Sequence, residues 1–149
     1  MDTKILIVDC SKTAIQQIKQ VVETVGEFSI LEYLTKSLTR KECDYTIMEV
    51  QKLVEENHPS IIITRIAWPG FNGQGFRLSA RIKQKFPDII IIGINDINDA
   101  IFFWEDYERR KTCCKMDYMV RQTEEEIPHI LTTLLLELKK PFSKAINVK

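Results

Sequence analysis

Several things that would declare a function are scarce in this 149-residue chain. There are two histidines, His58 and His129, and neither shares a ligand-like spacing with a cysteine or an acid, so no Cys-His or Ser-His-Asp set and no histidine metal site can be assembled from the sequence. Glycine is down to five residues, and none forms a glycine-rich phosphate loop after the first apolar stretch. Neither sign of charge is in excess: 21 basic residues meet 21 acidic ones, which leaves no positive field for nucleic acid and no acidic tail. The four cysteines, Cys10, Cys43, Cys113 and Cys114, lack Cys-x-x-Cys spacing. No apolar run is long enough to span a membrane, and the chain opens without an apolar signal segment. These absences read as one cytoplasmic domain with reduced thiols, no direct contact with nucleic acid or membrane, no cofactor and no metal. The vicinal Cys113-Cys114 pair reads as two thiols in preference to a strained redox bridge.

What is present is alternation. Residues 4–8 (Lys-Ile-Leu-Ile-Val) form a fully apolar strand that ends in Asp9-Cys10, and Ser11 is placed to cap the helix after it. Ala14, Ile18, Val21, Val22 and Val25 recur at helical steps, and Gly26 supplies the stop. A second strand follows over 28–34. Residues 35–45 are polar, charged and without period, and read as a surface insertion. Ile47, Val50, Leu53 and Val54 mark a second helix that Pro59 closes near His58. Residues 60–65 make the third strand, buried on both faces, and it delivers Arg65 just before the loop 69–73 (Pro-Gly-Phe-Asn-Gly). A third helix carries Phe76, Leu78, Ile82 and Phe86, a fourth strand spans 89–94 and closes on Asn95-Asp96, and a fourth helix is expected over 97–110. A short fifth strand over 118–120 ends at Arg121. The last helix starts near Thr123, with Glu124, Glu125 and Glu126 at its positive end and Ile127, Leu131, Leu135 and Leu138 along one face. Five strand-helix repeats predict an α/β fold: a doubly wound, five-stranded parallel sheet of flavodoxin-like (βα)5 type over residues 1–140, with a short tail over 141–149. In such sheets the binding crevice lies at the carboxyl ends of the strands, where Asp9, Arg65, Asn95 and Arg121 fall.

Taken in order, these residues resemble the receiver domain of bacterial two-component response regulators. Residues 4–9 look like its first strand, and 69–73 are similar to the loop after its phosphorylated aspartate. Phe86-Pro87-Asp88 resembles the lead-in to its fourth strand, and 116–121 (Met-Asp-Tyr-Met-Val-Arg) the stretch that normally ends in Lys-Pro. The resemblance implies a signalling module whose chemistry depends on two acids after the first strand and an aspartate at the end of the third, which together hold Mg²⁺ and accept a phosphoryl group.

This chain departs from that pattern at the positions that matter. The acid pair is Asp9-Cys10, and Arg65 stands at the phosphoacceptor position. A guanidinium has no nucleophilic oxygen and stays protonated, so it cannot form an acyl phosphate. One carboxylate beside a soft thiol and a cation is a poor Mg²⁺ site. Asn95 aligns with the family's threonine or serine, Arg121 with its lysine and Gln122 with the proline after it, while Tyr118 keeps the switch aromatic. The resemblance therefore implies a degenerate, phosphorylation-independent receiver without enzymatic activity.

Two arrangements of the altered pocket remain open. Arg65 pairs with Asp9 and Arg121 with Asp96 or Asp9, giving a silent, locked core; or two arginines against one aspartate leave a positive cleft for an anion. Two functional readings correspond to them. The first is a regulatory module working by protein-protein contact, as a homodimer or on a regulatory partner, through the face of the fourth helix, fifth strand and fifth helix. There Phe102, Phe103 and Trp104 are consecutive and cannot all point inward, with Tyr107 and Tyr118 nearby. The second is a sensor of a small molecule or anion in the cleft above the strand ends. Cys10, at a helix amino terminus, is either a reactive thiol of lowered pKa or a structural one; with no histidine beside it, the structural reading is preferred.

Overall fold

The strands form because β-branched and aliphatic residues run without interruption, and the sheet they build is parallel throughout. The computed structural model describes residues 3–35, 39–68, 74–97 and 116–147, without the side chains of 40 and 141–147. Its elements, in chain order, are β1 (Thr3–Asp9), α1 (Lys12–Val25), β2 (Phe28–Leu34), α2 (Arg40–Asn57), β3 (Ile61–Arg65), α3 (Gln74–Lys85), β4 (Ile90–Asp96), β5 (Tyr118–Gln122) and α4 (Ile127–Asn147). The five strands lie in the order β2-β1-β3-β4-β5, and every neighbouring pair is parallel. The loop 69–73 and the helix expected over 97–110, with Phe102, Phe103, Trp104 and Tyr107, lie outside the described residues.

β3 is the centre of this sheet, and its side chains divide between two cores. Ile62 joins Leu6 and Ile91 on the face covered by Ile47, Val50 and Val54 of α2 and Phe76, Leu78 and Ile82 of α3. Ile61 and Ile63 join Ile5, Ile7 and Ile92 on the opposite face, beneath Ile18 and Val22 of α1 and Leu131 and Leu135 of α4. A strand that feeds two hydrophobic layers has no solvent face, which is why Ile61, Ile62 and Ile63 are apolar in succession rather than at alternate positions, before Thr64 and Arg65 at its carboxyl end. Ile61, Ile62 and Ile63 are fully buried, and each such side chain contributes roughly 1.5–3 kcal/mol of burial free energy.

The helix ends follow local chemistry. Ser11 accepts a hydrogen bond from the Ala14 amide at 3.2 Å and caps α1, which Gly26 terminates at φ 77°. α2 ends on His58, a non-glycine residue held in the left-handed region at φ 51°.

Two parts of the sequence reading need correction. The stretch 35–45, expected as a surface insertion, contains the opening of α2: Thr39 caps the helix by accepting from the Glu42 amide at 3.2 Å while its hydroxyl meets the Glu42 carboxylate at 2.9 Å, and Cys43 is fully buried. Thr39-x-x-Glu42 has the spacing of a capping box, with Glu42 accepting from the Thr39 hydroxyl rather than its amide, a start signal hidden because the first turns after it carry few apolar residues. The tail expected from 141 is helical to Asn147. Pro141 reads as a stop, yet in the sequence Phe142 and Ile146 keep the four-residue step of Leu138, and loss of one backbone donor does not end the helix.

Candidate functional site at the carboxyl end of the third strand

β1 and β3 are paired in register through Val8 and Thr64, so the next residue of each, Asp9 and Arg65, emerges side by side at the carboxyl edge of the sheet. Asp9 is wholly buried and uses both oxygens. Oδ1 accepts from the amides of Cys10 at 2.7 Å and Ser11 at 3.1 Å, and Oδ2 accepts from Arg65 Nε at 3.1 Å. The Arg65–Asp9 pair expected from sequence is therefore formed. Arg65 has a second acid: its Nη1 donates to Glu124 Oε1 at 2.7 Å, from the turn between β5 and α4. The guanidinium, itself buried, bridges the end of β1 to the start of the last helix.

The backbone beneath Arg65 is held as tightly as its side chain. Its carbonyl accepts from the indole Nε1 of buried Trp68 at 2.9 Å, and Gly75 of α3 packs so closely that a Cβ there would stand 2.5 Å from that oxygen. Only glycine allows α3 to approach the strand end this closely.

Electrostatics follow from these contacts. Burial is the largest influence on Asp9 and raises its pKa above the ordinary carboxylate range, against the opposing pull of Arg65 and the two amides. Burial opposes the charge on Arg65 too, but Asp9 and Glu124 outweigh it and raise its pKa. Cys10 is pushed up to about 11 by burial first and by the Asp9 charge second, so it is a protonated thiol at neutral pH and the reactive reading is set aside. The cleft over this site, about 390 Å³, is lined by Asp9, Cys10, Ser11, Gln17, Arg65 and Glu124.

The remaining positions stand on the same edge but are not all drawn into that cleft. Asn95 is buried at the end of β4, its Oδ1 accepting from the Ala67 amide at 3.3 Å and its Nδ2 donating to the Asp96 carbonyl at 3.4 Å. Asn95 faces Arg121, and Asp96 faces Gln122, across the β4–β5 ladder. Tyr118 opens β5 and is 40 % exposed.

The sequence reading missed Glu124. It assigned the three acids Glu124 to Glu126 to the positive end of the last helix; the available signal was that Glu124 comes two residues after the carboxyl end of a strand, at the crevice itself. With two carboxylates on one guanidinium, the neighbourhood of Arg65 is not the positive cleft that two arginines against one aspartate would make. Among the described residues no three histidine, cysteine or acidic side chains come together as a metal site, and no helix is long and apolar enough to cross a membrane.

The fold is that of receiver domains. No family model and no curated protein matches the chain. Solved structures do. The signal receiver domain of an HD domain-containing protein from Pseudomonas fluorescens is similar with a TM-score of 0.67 at 15% identity, over 96% of this chain and 99% of that one. The non-phosphorylated receiver domain of the stress response regulator RcsB from Escherichia coli also gives a TM-score of 0.67, at 18% identity over 95% of each chain. A DNA-binding response regulator of the LuxR family from Staphylococcus aureus gives 0.62, at 22% identity over 89% of this chain and 95% of that one. At these identities the likeness establishes a flavodoxin-like receiver fold and leaves function to the residues of the site.

Proposed function

We propose that this protein is a degenerate receiver domain, a non-catalytic and phosphorylation-independent signalling module of the cytoplasm that acts by protein-protein contact. The observation that carries the reading is the buried guanidinium of Arg65, 3.1 Å from Asp9 and 2.7 Å from Glu124, at the position where the resembled family needs a carboxylate. An arginine there has no oxygen to phosphorylate, and its charge takes the place a metal ion would need. Its two ion pairs join β1, β3 and the turn before α4, and hold one arrangement without a phosphoryl group.

The surface proposed for a regulatory partner or a second copy is that of the fourth expected helix with β5 and α4, where Tyr118 is exposed. An anion sensor in the cleft is the weaker reading, because Glu124 puts a second negative charge on Arg65 where an anion would have to bind.

Two measurements test the proposal. Incubation with Mg²⁺ and acetyl phosphate followed by intact-mass spectrometry is expected to leave the mass unchanged; an added phosphoryl group on a carboxylate would refute phosphorylation independence. Sedimentation of the chain alone and with co-purified partners, compared with Phe103→Glu and Tyr118→Ala, is expected to show an assembly that the variants lose. Variants that leave every assembly intact would refute the proposed surface.

A further inference from the structure

The other edge of the sheet carries a second feature that owes nothing to Arg65. β2 is an edge strand, hydrogen-bonded only to β1 among the described strands, and α2 lies beside it. Between them run two adjoining hollows of about 620 and 530 Å³ that share Tyr33, Tyr45 and Glu49. Tyr45 and Met48 are among the most exposed large apolar side chains described, at 62% and 64%. Isolated exposed aromatics carry no message, but here they line a continuous concave surface of ligand size.

Among the described residues, acids outnumber bases on that surface: Glu32, Glu42, Glu49 and Glu56 line it with Lys41 and Lys52, and Glu32 is paired with Lys19 at 3.2 Å. At its centre, the Tyr33 hydroxyl donates to Glu49 Oε2 and Tyr45 hydrogen-bonds the same carboxylate. These bonds lower the pKa of Glu49, so it is ionised, and none of the ion pairs among the described residues gives it a cation. A carboxylate framed by two phenol rings, with thioether and aliphatic surface beside it, matches a cationic side chain whose head meets the charge and ring faces while its stem lies along the apolar wall.

We propose that the groove between β2 and α2 is a docking site for a basic peptide segment of a partner protein, in which an arginine or lysine flanked by apolar residues seats at Tyr33, Tyr45 and Glu49. The site is separate from the face proposed for β5 and α4, and either can fail without the other. The test pans a phage-displayed library of random twelve-residue peptides against the full chain and measures selected peptides by fluorescence anisotropy. Enrichment of arginine or lysine next to apolar residues is expected, with affinity falling about tenfold in Glu49→Gln, which removes the charge at nearly constant shape and keeps an acceptor oxygen for a phenol, and in Tyr45→Ala, which alters an exposed side chain. Thermal melts check that the variants fold, and Glu49→Gln decides alone if Tyr45→Ala does not. No enrichment, enrichment of acidic peptides, or selected peptides that bind both variants like the parent would overturn the proposal. A dimer in sedimentation equilibrium that Tyr45→Ala dissociates would also overturn it, by making a second copy the occupant.

Discussion

Replacing Asp9 by asparagine tests whether the Arg65 bridge holds the strand ends together. Asparagine keeps one oxygen, which the amides of Cys10 and Ser11 already claim at 2.7 and 3.1 Å; the side-chain nitrogen is then left against Arg65 Nε, donor to donor. Removing one member of a buried ion pair costs ~3–5 kcal/mol. Glu124 still meets the far side of the guanidinium, so the expected loss is about 2–3 kcal/mol, scaled down from that range. Glu124→Gln alters a side chain that is 45% exposed and is expected to cost no more than about 1 kcal/mol. Urea unfolding followed by circular dichroism reads both. With a denaturant slope of about 1.5–2 kcal/mol per M, Asp9→Asn lowers the midpoint by ~1–2 M and Glu124→Gln by under ~0.5 M. Adding Arg65→Met to Asp9→Asn is expected to recover stability, because the uncompensated charge leaves with the arginine. Equal costs for the two single changes, or no recovery in the double variant, would refute the assignment of Asp9 as the main counter-charge.

Three further outcomes follow from the geometry. Raising the Cys10 pKa from 9.0 to about 11 lowers its thiolate fraction at pH 8 roughly 100-fold, so iodoacetamide labelling of Cys10, followed by peptide mass mapping, is expected to climb with a midpoint near pH 11 rather than 9. The sign for stability agrees: the folded state keeps this proton longer than the unfolded one, so the contribution is intact below pH 9 and is lost as pH rises from there through about 11. Gly75→Ala puts a Cβ 2.5 Å from the Arg65 carbonyl, a backbone atom, and is expected to cost about 3 kcal/mol or more; Gly93→Ala meets the Met116 thioether at 2.3 Å, which can swing aside, and should cost less, so a reversed order of melting temperatures would contradict the packing. His58→Gly relieves a left-handed C-cap at φ 51° and is expected to raise stability by ~0.5–1 kcal/mol; a lower melting temperature would show that the His58 side chain contributes more than its backbone costs.

The order of elements was legible because each strand and most helices carry their own period and stop. Residues 61–63 read as a buried strand and are one; Gly26 and His58 end helices where the pattern breaks. Arg65 and Asp9 were legible as partners because parallel strands of known order bring their ends together. Glu124 was not, because an acid at a helix start has a sufficient local explanation, which masks the fainter signal of its place two residues after the carboxyl end of β5. The start of α2 was obscured in the same way: its capping signal is four residues long, while the charged stretch around it follows no period.

In the function proposed above, Arg65 takes the part that a dissolved ion would otherwise take, with one difference in kind. A bound metal obeys mass action: its site fills and empties with concentration, and so can report on the surroundings. A guanidinium attached to β3 by its own side chain is always at hand, at an effective concentration that dilution and chelators do not change. On the function proposed above, its occupancy does not vary with concentration, and the signal this domain responds to would then arrive somewhere other than the end of β3.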